Sequence, residues 1–476
     1  MRPRSPVLTC LPCLLPMLFV QTSLPVLGQT VSPGITMVPP RIIATMNSSA
    51  VQAAGGSPGY LLSASPAPLE ALDSHLPGWI QFSGLDRLRF EGYAGLNYRP
   101  GNEDFYVLNR FRLGMLLRPA AWFKVYSEVQ DARDFLQRPP LGPPNENTWN
   151  LRQAYVELGR GEDAAFGVKV GRQEVNFGAG RVIGRSDWRN AGRTFDAALA
   201  ALRFGRYRLT AFSLSRVNPV AHGMNHHQQG NVIHGLYGAI DTLIPHSVLE
   251  PYVFWKLAPG VRNESAQPAR INEHIAGLRW AGLLTASVDY AAEYAFETGN
   301  FGSDPIGASM VSIVTGYTML RSPGTPRLFA EYFFASGDRK PGDQKHGTWD
   351  QLHPTHHDRN GLSDQIGFQN LKEFRTGVRF LLSRNWALAT EYNNWYLASA
   401  TDALYDTAPS IIARDPTGKS GTHVGQEVDL QMSYRLSRQL EIGAGIAHLF
   451  PGEFLRRTTP GHAYTYPYFM LAYSLR

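Results

Sequence analysis

Arginine carries the clearest chemical message in this chain. The segment Gly171–Arg193 holds Arg172, Arg181, Arg185, Arg189 and Arg193, the densest arginine content of any predicted loop region. A guanidinium stays protonated and offers a planar donor fork that matches carboxylate and phosphate. Three uses fit such a segment: a constriction folded into an interior cavity, an external loop meeting phosphate groups, or ion pairs bracing a wall. Histidines form a second group, with His222, His226 and His227 in one cluster and His346, His353, His356, His357 and Asp358 in another. Imidazole and carboxylate can hold Zn²⁺ or Ni²⁺, but the spacing matches no closed site, and a polar external loop is the plainer reading. Gly178-Ala-Gly-Arg-Val-Ile-Gly184 lacks the Lys-Ser/Thr end of a phosphate loop. Asp338–Asp343 lacks a full set of calcium ligands, although bridging by external calcium fits its acidic oxygens. No nucleophile elbow is present, and the polar residues are spread along the chain, which suits permeation better than localised chemistry. No metal site, cofactor or nucleic-acid partner is expected.

The elements that must position these residues are strands. From about Asp86 to Arg476, segments of about ten residues alternate apolar and polar side chains. Glu427, Asp429, Gln431, Ser433 and Arg435 interleave with Val428, Leu430, Met432, Tyr434 and Leu436. Asp289, Glu293 and Glu297 share one face, while Val288, Tyr290, Tyr294 and Phe296 share the other. Each strand therefore has one charged wall and one apolar wall. A soluble sandwich alternates too, so the connections must decide.

Eighteen candidate strands can be placed, at about 86–98, 106–118, 121–132, 149–159, 164–173, 195–204, 206–217, 232–242, 248–258, 271–281, 285–299, 307–319, 326–337, 371–383, 386–399, 425–437, 439–450 and 466–475. Tight joints fall near Pro119-Ala120, Gly161-Glu162, Gly205, Gly282-Leu283, Arg384-Asn385 and Ser437-Arg438. The joints between them are often long: 133–148, 174–194, 218–231, 338–370, 400–424 and 451–465. Short turns at one end and long loops at the other predict an all-β fold, a membrane-spanning antiparallel β-barrel of 18 strands with periplasmic turns and extracellular loops. Aromatics near strand ends fit the girdles of such a barrel, among them Trp122, Tyr126, Tyr252, Phe254, Trp255, Trp280, Trp386, Trp395 and Tyr396. Tyr466–Arg476 reads as a closing strand for barrel-assembly machinery, although it ends in Arg476 where such strands commonly end in an aromatic residue.

Composition agrees. Within 476 residues there is no apolar run after residue 30 long enough for a membrane-spanning helix. Arg2 and Arg4, the apolar stretch Val7–Val20 and Val26-Leu27-Gly28 form an export signal over 1–28, which encloses both cysteines, Cys10 and Cys13. A mature chain without cysteine has no disulfide, thiolate nucleophile or cysteine metal site. Residues 29–77 are rich in Pro, Gly, Ser and Ala and read as a flexible periplasmic leader, with a plug or cap as the alternative. The barrel then occupies 78–476. The net charge of +6 is a weak pointer to anionic solutes, since the export signal supplies two of those charges.

Specific stretches resemble the alginate-export family of outer-membrane barrels. They are Val125-Tyr-Ser-Glu-Val-Gln-Asp-Ala-Arg133, Leu151-Arg-Gln-Ala-Tyr-Val-Glu157, Val170-Gly-Arg-Gln-Glu-Val-Asn-Phe-Gly-Ala-Gly-Arg-Val-Ile-Gly184, Trp188-Arg-Asn-Ala-Gly-Arg-Thr-Phe-Asp196, Glu427-Val-Asp429 and Phe450-Pro-Gly-Glu-Phe454. The resemblance covers roughly 80–476. It implies an eighteen-stranded barrel that passes an anionic polysaccharide such as an alginate-like polyuronate, through an arginine-rich lumen and without a chemical step. The lumen positions it implies are Arg112, Arg152, Arg172, Arg181, Arg185, Arg189 and Arg193, with acidic partners Glu128, Asp131, Glu157, Glu174 and Asp196. The partners it implies are lipid and lipopolysaccharide of the bacterial outer membrane, the assembly machinery, and periplasmic export proteins. A general or small-anion porin for uptake is the alternative within the barrel class. A barrel enzyme acting on lipid or polysaccharide is the alternative outside it.

Overall fold

The computed structural model describes residues 67–138, 145–159, 165–241, 246–262, 267–357 and 359–476. The export signal with Cys10 and Cys13, most of the leader, the Gly161-Glu162 joint and Asp358 lie outside the described residues.

Eighteen strands form the wall of a closed antiparallel barrel. They are β1 (Ile80–Ala94), β2 (Glu103–Ala120), β3 (Phe123–Phe135), β4 (Asn147–Gly159), β5 (Phe166–Gln173) and β6 (Phe195–Phe204). Next come β7 (Tyr207–Asn218), β8 (Val232–Asp241), β9 (Ser247–Arg262), β10 (Pro268–Thr285), β11 (Val288–Phe301) and β12 (Asp304–Thr318). The circuit ends with β13 (Arg327–Ala335), β14 (Leu371–Leu381), β15 (Trp386–Leu397), β16 (His423–Arg435), β17 (Leu440–Pro451) and β18 (Tyr464–Ser474). Each strand pairs with its neighbour in sequence, and β18 closes the ring on β1, with Leu85 opposite Ser474 and Ala94 opposite Thr465. Closure leaves no sheet edge, so the backbone N–H and C=O groups in the wall are paired without water.

Every candidate strand corresponds to a wall strand, with ends displaced by a few residues. Two joints are corrected. Gly282 and Leu283 lie inside β10, and the turn falls after Thr285. Pro119 and Ala120 end β2, and the turn is at 121–122. At the opposite end one connection is short where the rhythm asks for a loop: only Gly302-Ser303 joins β11 to β12.

The alternation sorts as a membrane wall requires. Val156, Val170, Leu202, Leu278, Phe374 and Leu430 are exposed on the outer face, while charged residues of the opposite parity are buried. Parity also corrects the aromatic reading. Trp255, Trp280, Trp386, Tyr396 and Trp122 are exposed, but Trp395, Tyr252 and Phe254 point inward and are buried. Trp395 gives its indole N–H to Asn360 at 2.8 Å inside the lumen.

The described part of the leader is anchored. Helix α1 (Pro68–Asp73) lies beside the β1–β18 seam. Asp73 accepts the backbone N–H of Phe82 at 3.0 Å and pairs with Arg476 at 3.4 Å, while Leu69 N–H reaches the carbonyl of Leu475 at 3.0 Å. These contacts clip the first strand to the last. Replacing Asp73 with alanine leaves the Phe82 N–H without its acceptor, at a cost of roughly 1 kcal/mol. The expected outcome is an earlier unfolding midpoint in a urea titration of the refolded barrel, with conductance unchanged.

Candidate functional site: an arginine cluster in the lumen

The loop 174–194 between β5 and β6 enters the barrel. Its tip presents Asp187 next to Ser186, a non-glycine residue held at φ 47°. That left-handed conformation costs on the order of 1 kcal/mol, and the surrounding contacts hold it. The Asp187 carboxylate meets Arg110 at 3.2 Å through both oxygens, Arg112 at 2.8 Å and Arg152 at 3.8 Å. Arg87 and Arg110 also donate to the backbone carbonyl of Asp187, at 3.2 and 2.8 Å. Burial would raise the Asp187 carboxyl, but Arg110, Arg112, Arg152 and Arg87 hold it well below the usual carboxylate range.

Register explains why these arginines converge. Arg87 on β1 sits directly opposite Arg110 on β2, and Arg89 and Arg112 are the same-face neighbours two residues along. Like charges in opposition are unfavourable unless an anion lies between them, and Asp187 supplies it. Arg89 and Arg87 donate to the carbonyl of Trp188 at 2.7 and 2.9 Å. The Trp188 ring lies between the Arg89 guanidinium, 4.1 Å from its centroid, and the His357 ring, stacked at 3.9 Å. Gly192 passes so close to the wall that a Cβ there would come within 2.8 Å of Arg112 and 3.2 Å of Arg152.

The implied lumen residues divide three ways. Arg112, Arg152, Glu128 and Glu174 belong to the cluster: Arg152 donates to Glu128 at 2.5 Å and pairs with Glu174. Glu157 also faces inward, paired with Lys124 at 2.6 Å. Arg181, Arg185, Arg189 and Arg193 lie on the entering loop with separate tasks. Arg181 pairs with Glu331 on the far wall, Arg193 donates to the carbonyls of Gly184, His353 and Pro354, Arg189 reaches Thr407, and Arg185 sits 4.0 Å from Glu174. Three positions are corrected, because strand parity puts them on the outward face. Arg172 pairs with Asp196 at 2.7 Å across the β5–β6 ladder, and both share the parity of exposed Val170 and Leu202. Asp131 shares the parity of exposed Val129 and Phe135, and binds Arg133 at 2.8 Å.

Five site residues were missed: Arg87, Arg89, Arg110, Asp187 and Trp188. The Arg-x-Arg spacings at 87/89 and 110/112 carry a signal, since two-residue spacing puts both arginines on one face of adjacent strands. Nothing local to Asp187 marks it, because its role depends on where the loop tip lands.

A second loop, 336–370, also packs inside. His353 and His356 are buried there rather than in an external loop, with Phe195 5.6 Å from the His353 ring and Phe368 stacked 5.1 Å from His356. Residues 183 and 353 form a backbone bridge that joins the two loops. Among the described residues no group of three His, Cys, Asp or Glu is set to hold a metal. The wall facing the arginines is acidic: Glu293, Glu297, Glu331, Glu373, Glu391 and Asp429 are all buried inward.

A closed eighteen-stranded barrel with an apolar outside, a charged lumen and inward loops defines an outer-membrane channel of the porin type. The family model described as alginate export matches residues 79–468, and the chain belongs to that family. The protein is thus placed in the bacterial outer membrane, as a porin-like channel. A comparison with curated proteins finds no match. Among solved structures, Pseudomonas aeruginosa OpdO is similar at 13% identity and a TM-score of 0.55, over 84% of this chain and 98% of that one. P. aeruginosa OpdQ is similar at 12% identity and a TM-score of 0.55, over 83% and 97%. P. aeruginosa OpdK with vanillate is similar at 10% identity and a TM-score of 0.54, over 83% and 98%.

Two outcomes follow. Replacing Asp187 with asparagine removes one negative charge from the arginine cluster. Unit charges about 4 Å apart interact by ~1 kcal/mol even in water, so the chloride-to-potassium permeability ratio should rise by about fivefold. Reversal potentials across a KCl gradient measure it. The second concerns acid. Burial lowers His353 well below its ordinary value, with Arg193 adding to it, and burial lowers His356 in the same way, with Arg189 adding. A depressed histidine stabilises the packed loop fully above about pH 6.5, and that stability is lost as pH falls towards the folded value. Asp187, depressed instead below the carboxylate range, stays ionised across this window. Hydrogen exchange in 346–370, corrected for intrinsic rate, should therefore accelerate between pH 7 and pH 5, and exchange in β1 and β2 should not.

Proposed function

We propose that the protein is a diffusion channel for small carboxylate-bearing anions, selected at Arg110, Arg112 and Arg152. The observation that carries this reading is the Asp187 carboxylate itself, seated among three guanidiniums with its backbone carbonyl also held. A site that holds one carboxylate this way suits another on a solute. Passage requires binding that is weak and repeated, and the arginines at 87, 89, 110, 112 and 152 give successive stations along β1 to β4. The acidic far wall pushes an anion towards that basic arc. Two inward loops narrow the lumen, which favours a single sugar acid or aromatic acid over a polymer. The OpdK structure with vanillate, an aromatic carboxylate, agrees with that size class.

Passage of an anionic polysaccharide such as polyuronate is the second reading, favoured by the family match. It requires loops 174–194 and 336–370 to withdraw from the lumen.

Single-channel recording in planar bilayers separates the two. Galacturonate monomer should interrupt the chloride current at millimolar concentration. Replacing Arg110 and Arg112 together with alanine should weaken that block by about tenfold or more, the loss of at least one charge-assisted contact. Block that is unaffected by the double replacement sinks the carboxylate site. Passage of uronate oligomers on the same timescale as monomer supports the polysaccharide reading instead.

A further inference from the structure

The outer surface carries a feature that permeation does not use. Five neighbouring strands, β7 to β11, place two cross-strand rows on the membrane face. The lower row is Ala211, Leu236, Val253, Ala276 and Phe296, each opposite the next in register. Ala211 and Ala276 are small, so Leu236, Val253 and Phe296 stand proud around an apolar groove of about 500 Å³. The row above it, towards the loop end, is Ser213, His234, Trp255, His274 and Thr298. Trp255 is 42% exposed, stacks against His274 at 6.0 Å, lies 5.7 Å from His234 and gives its indole N–H to Asn272 at 2.7 Å. Four residues beyond His274, towards the outer end of β10, Arg270 is exposed on the same face, without an ion-pair partner among the described residues.

Depth fixes what covers this patch. From exposed Leu284 near the periplasmic turn to His274 is ten residues of β10. At about 3.3 Å per residue and a tilt of about 40° that is roughly 25 Å, the height of the apolar band of an outer-membrane barrel. The groove therefore faces acyl chains of the outer leaflet, and the His–Trp–His row with Arg270 lies at its headgroup boundary.

We infer that this patch binds one phosphorylated, multiply acylated lipid of the outer leaflet, of the lipid A class. One acyl chain lies in the groove over Ala211 and Ala276, and a headgroup phosphate accepts hydrogen bonds from the His274 imidazole and the Arg270 guanidinium. A smooth barrel wall gives every lipid the same contact. Here a groove and a cation lie on one line along the membrane normal, which matches a chain and a phosphate on one molecule.

The test is native mass spectrometry of the full barrel, purified in detergent and incubated with bisphosphorylated lipid A, dephosphorylated lipid A or phosphatidylethanolamine. One bisphosphorylated lipid A should stay bound to the unaltered chain, with the other two lipids retained about tenfold less, the value of one charge-assisted contact. Ala276→Trp, which fills the groove, and the rim pair His274→Ala with Arg270→Ala should each cut retention by about tenfold while conductance is kept. If Ala276→Trp fails to assemble, the rim pair decides alone, since it lies at the edge of the apolar band. Equal retention of lipid A and phosphatidylethanolamine, or of lipid A by the unaltered and rim-pair chains, overturns the inference. A dimer that disappears in Ala276→Trp also overturns it, because the patch would then be covered by a second copy of the chain.

Discussion

The constraint on which everything else depends is backbone hydrogen bonding in hydrocarbon. A strand in a membrane has no water to satisfy its N–H and C=O groups, so the sheet must close. Closure on β1 and β18 then forces each strand to give one face to lipid and one to the lumen. Charge consequently accumulates in the lumen, and the outward charges Arg172 with Asp196 and Asp131 with Arg133 occur as ion pairs. The arginines of β1 to β4 and the carboxylates of β11 to β16 are thus products of the fold as much as of function.

A lumen lined with unlike charges on opposite arcs needs internal neutralisation to hold its shape. Much of it is local: Lys124 with Glu157, Arg327 with Asp289, Arg375 with Glu331 and Glu391. Among the described residues the arginines at 87, 110 and 112 have no carboxylate partner on the wall and are answered by Asp187 from a loop. That difference separates ion pairs within the wall from pairs made to an entering loop. A pair built into the wall is fixed by two strands, whereas Asp187 is carried by a loop that reaches the wall from outside the sheet. Buried cations left unpaired would be costly, and Asp187 removes that cost.

The barrel was legible from the chain because its signals are local. Two-residue alternation, short turns and loop lengths are all read within a window of a dozen residues, and they set strand number and orientation. Site residues were legible only where strand parity could be read correctly. Glu128, Glu157 and Arg112 follow from the alternation. Arg172, Asp131 and Asp196 do not, because dense arginine and acidic neighbours drew attention to segment composition over face. The inward packing of His353 and His356 was hidden for a different reason. Polar residues in a long loop have the same composition whether the loop faces water or fills a lumen, and only the buried Trp349, Leu352, Leu362 and Phe368 around them decide it.

The same reasoning bears on why net charge is a poor guide here. A formal +6 spread over 476 residues suggests a mild general preference for anions. The structure instead separates basic and acidic arcs across one lumen, so the field across the pore is set by arrangement and would persist if the total were zero. On the proposed reading, an anion crossing the barrel is drawn to the β1–β4 side and repelled by the opposite wall. A cation finds its favourable arc on the opposite wall, where Arg181, Arg279 and Arg375 already occupy carboxylates. The two walls therefore differ in what answers them: the acidic arc is met largely by arginines of neighbouring strands, with Arg181 of the loop added, whereas Arg87, Arg110 and Arg112 converge on Asp187 of the loop.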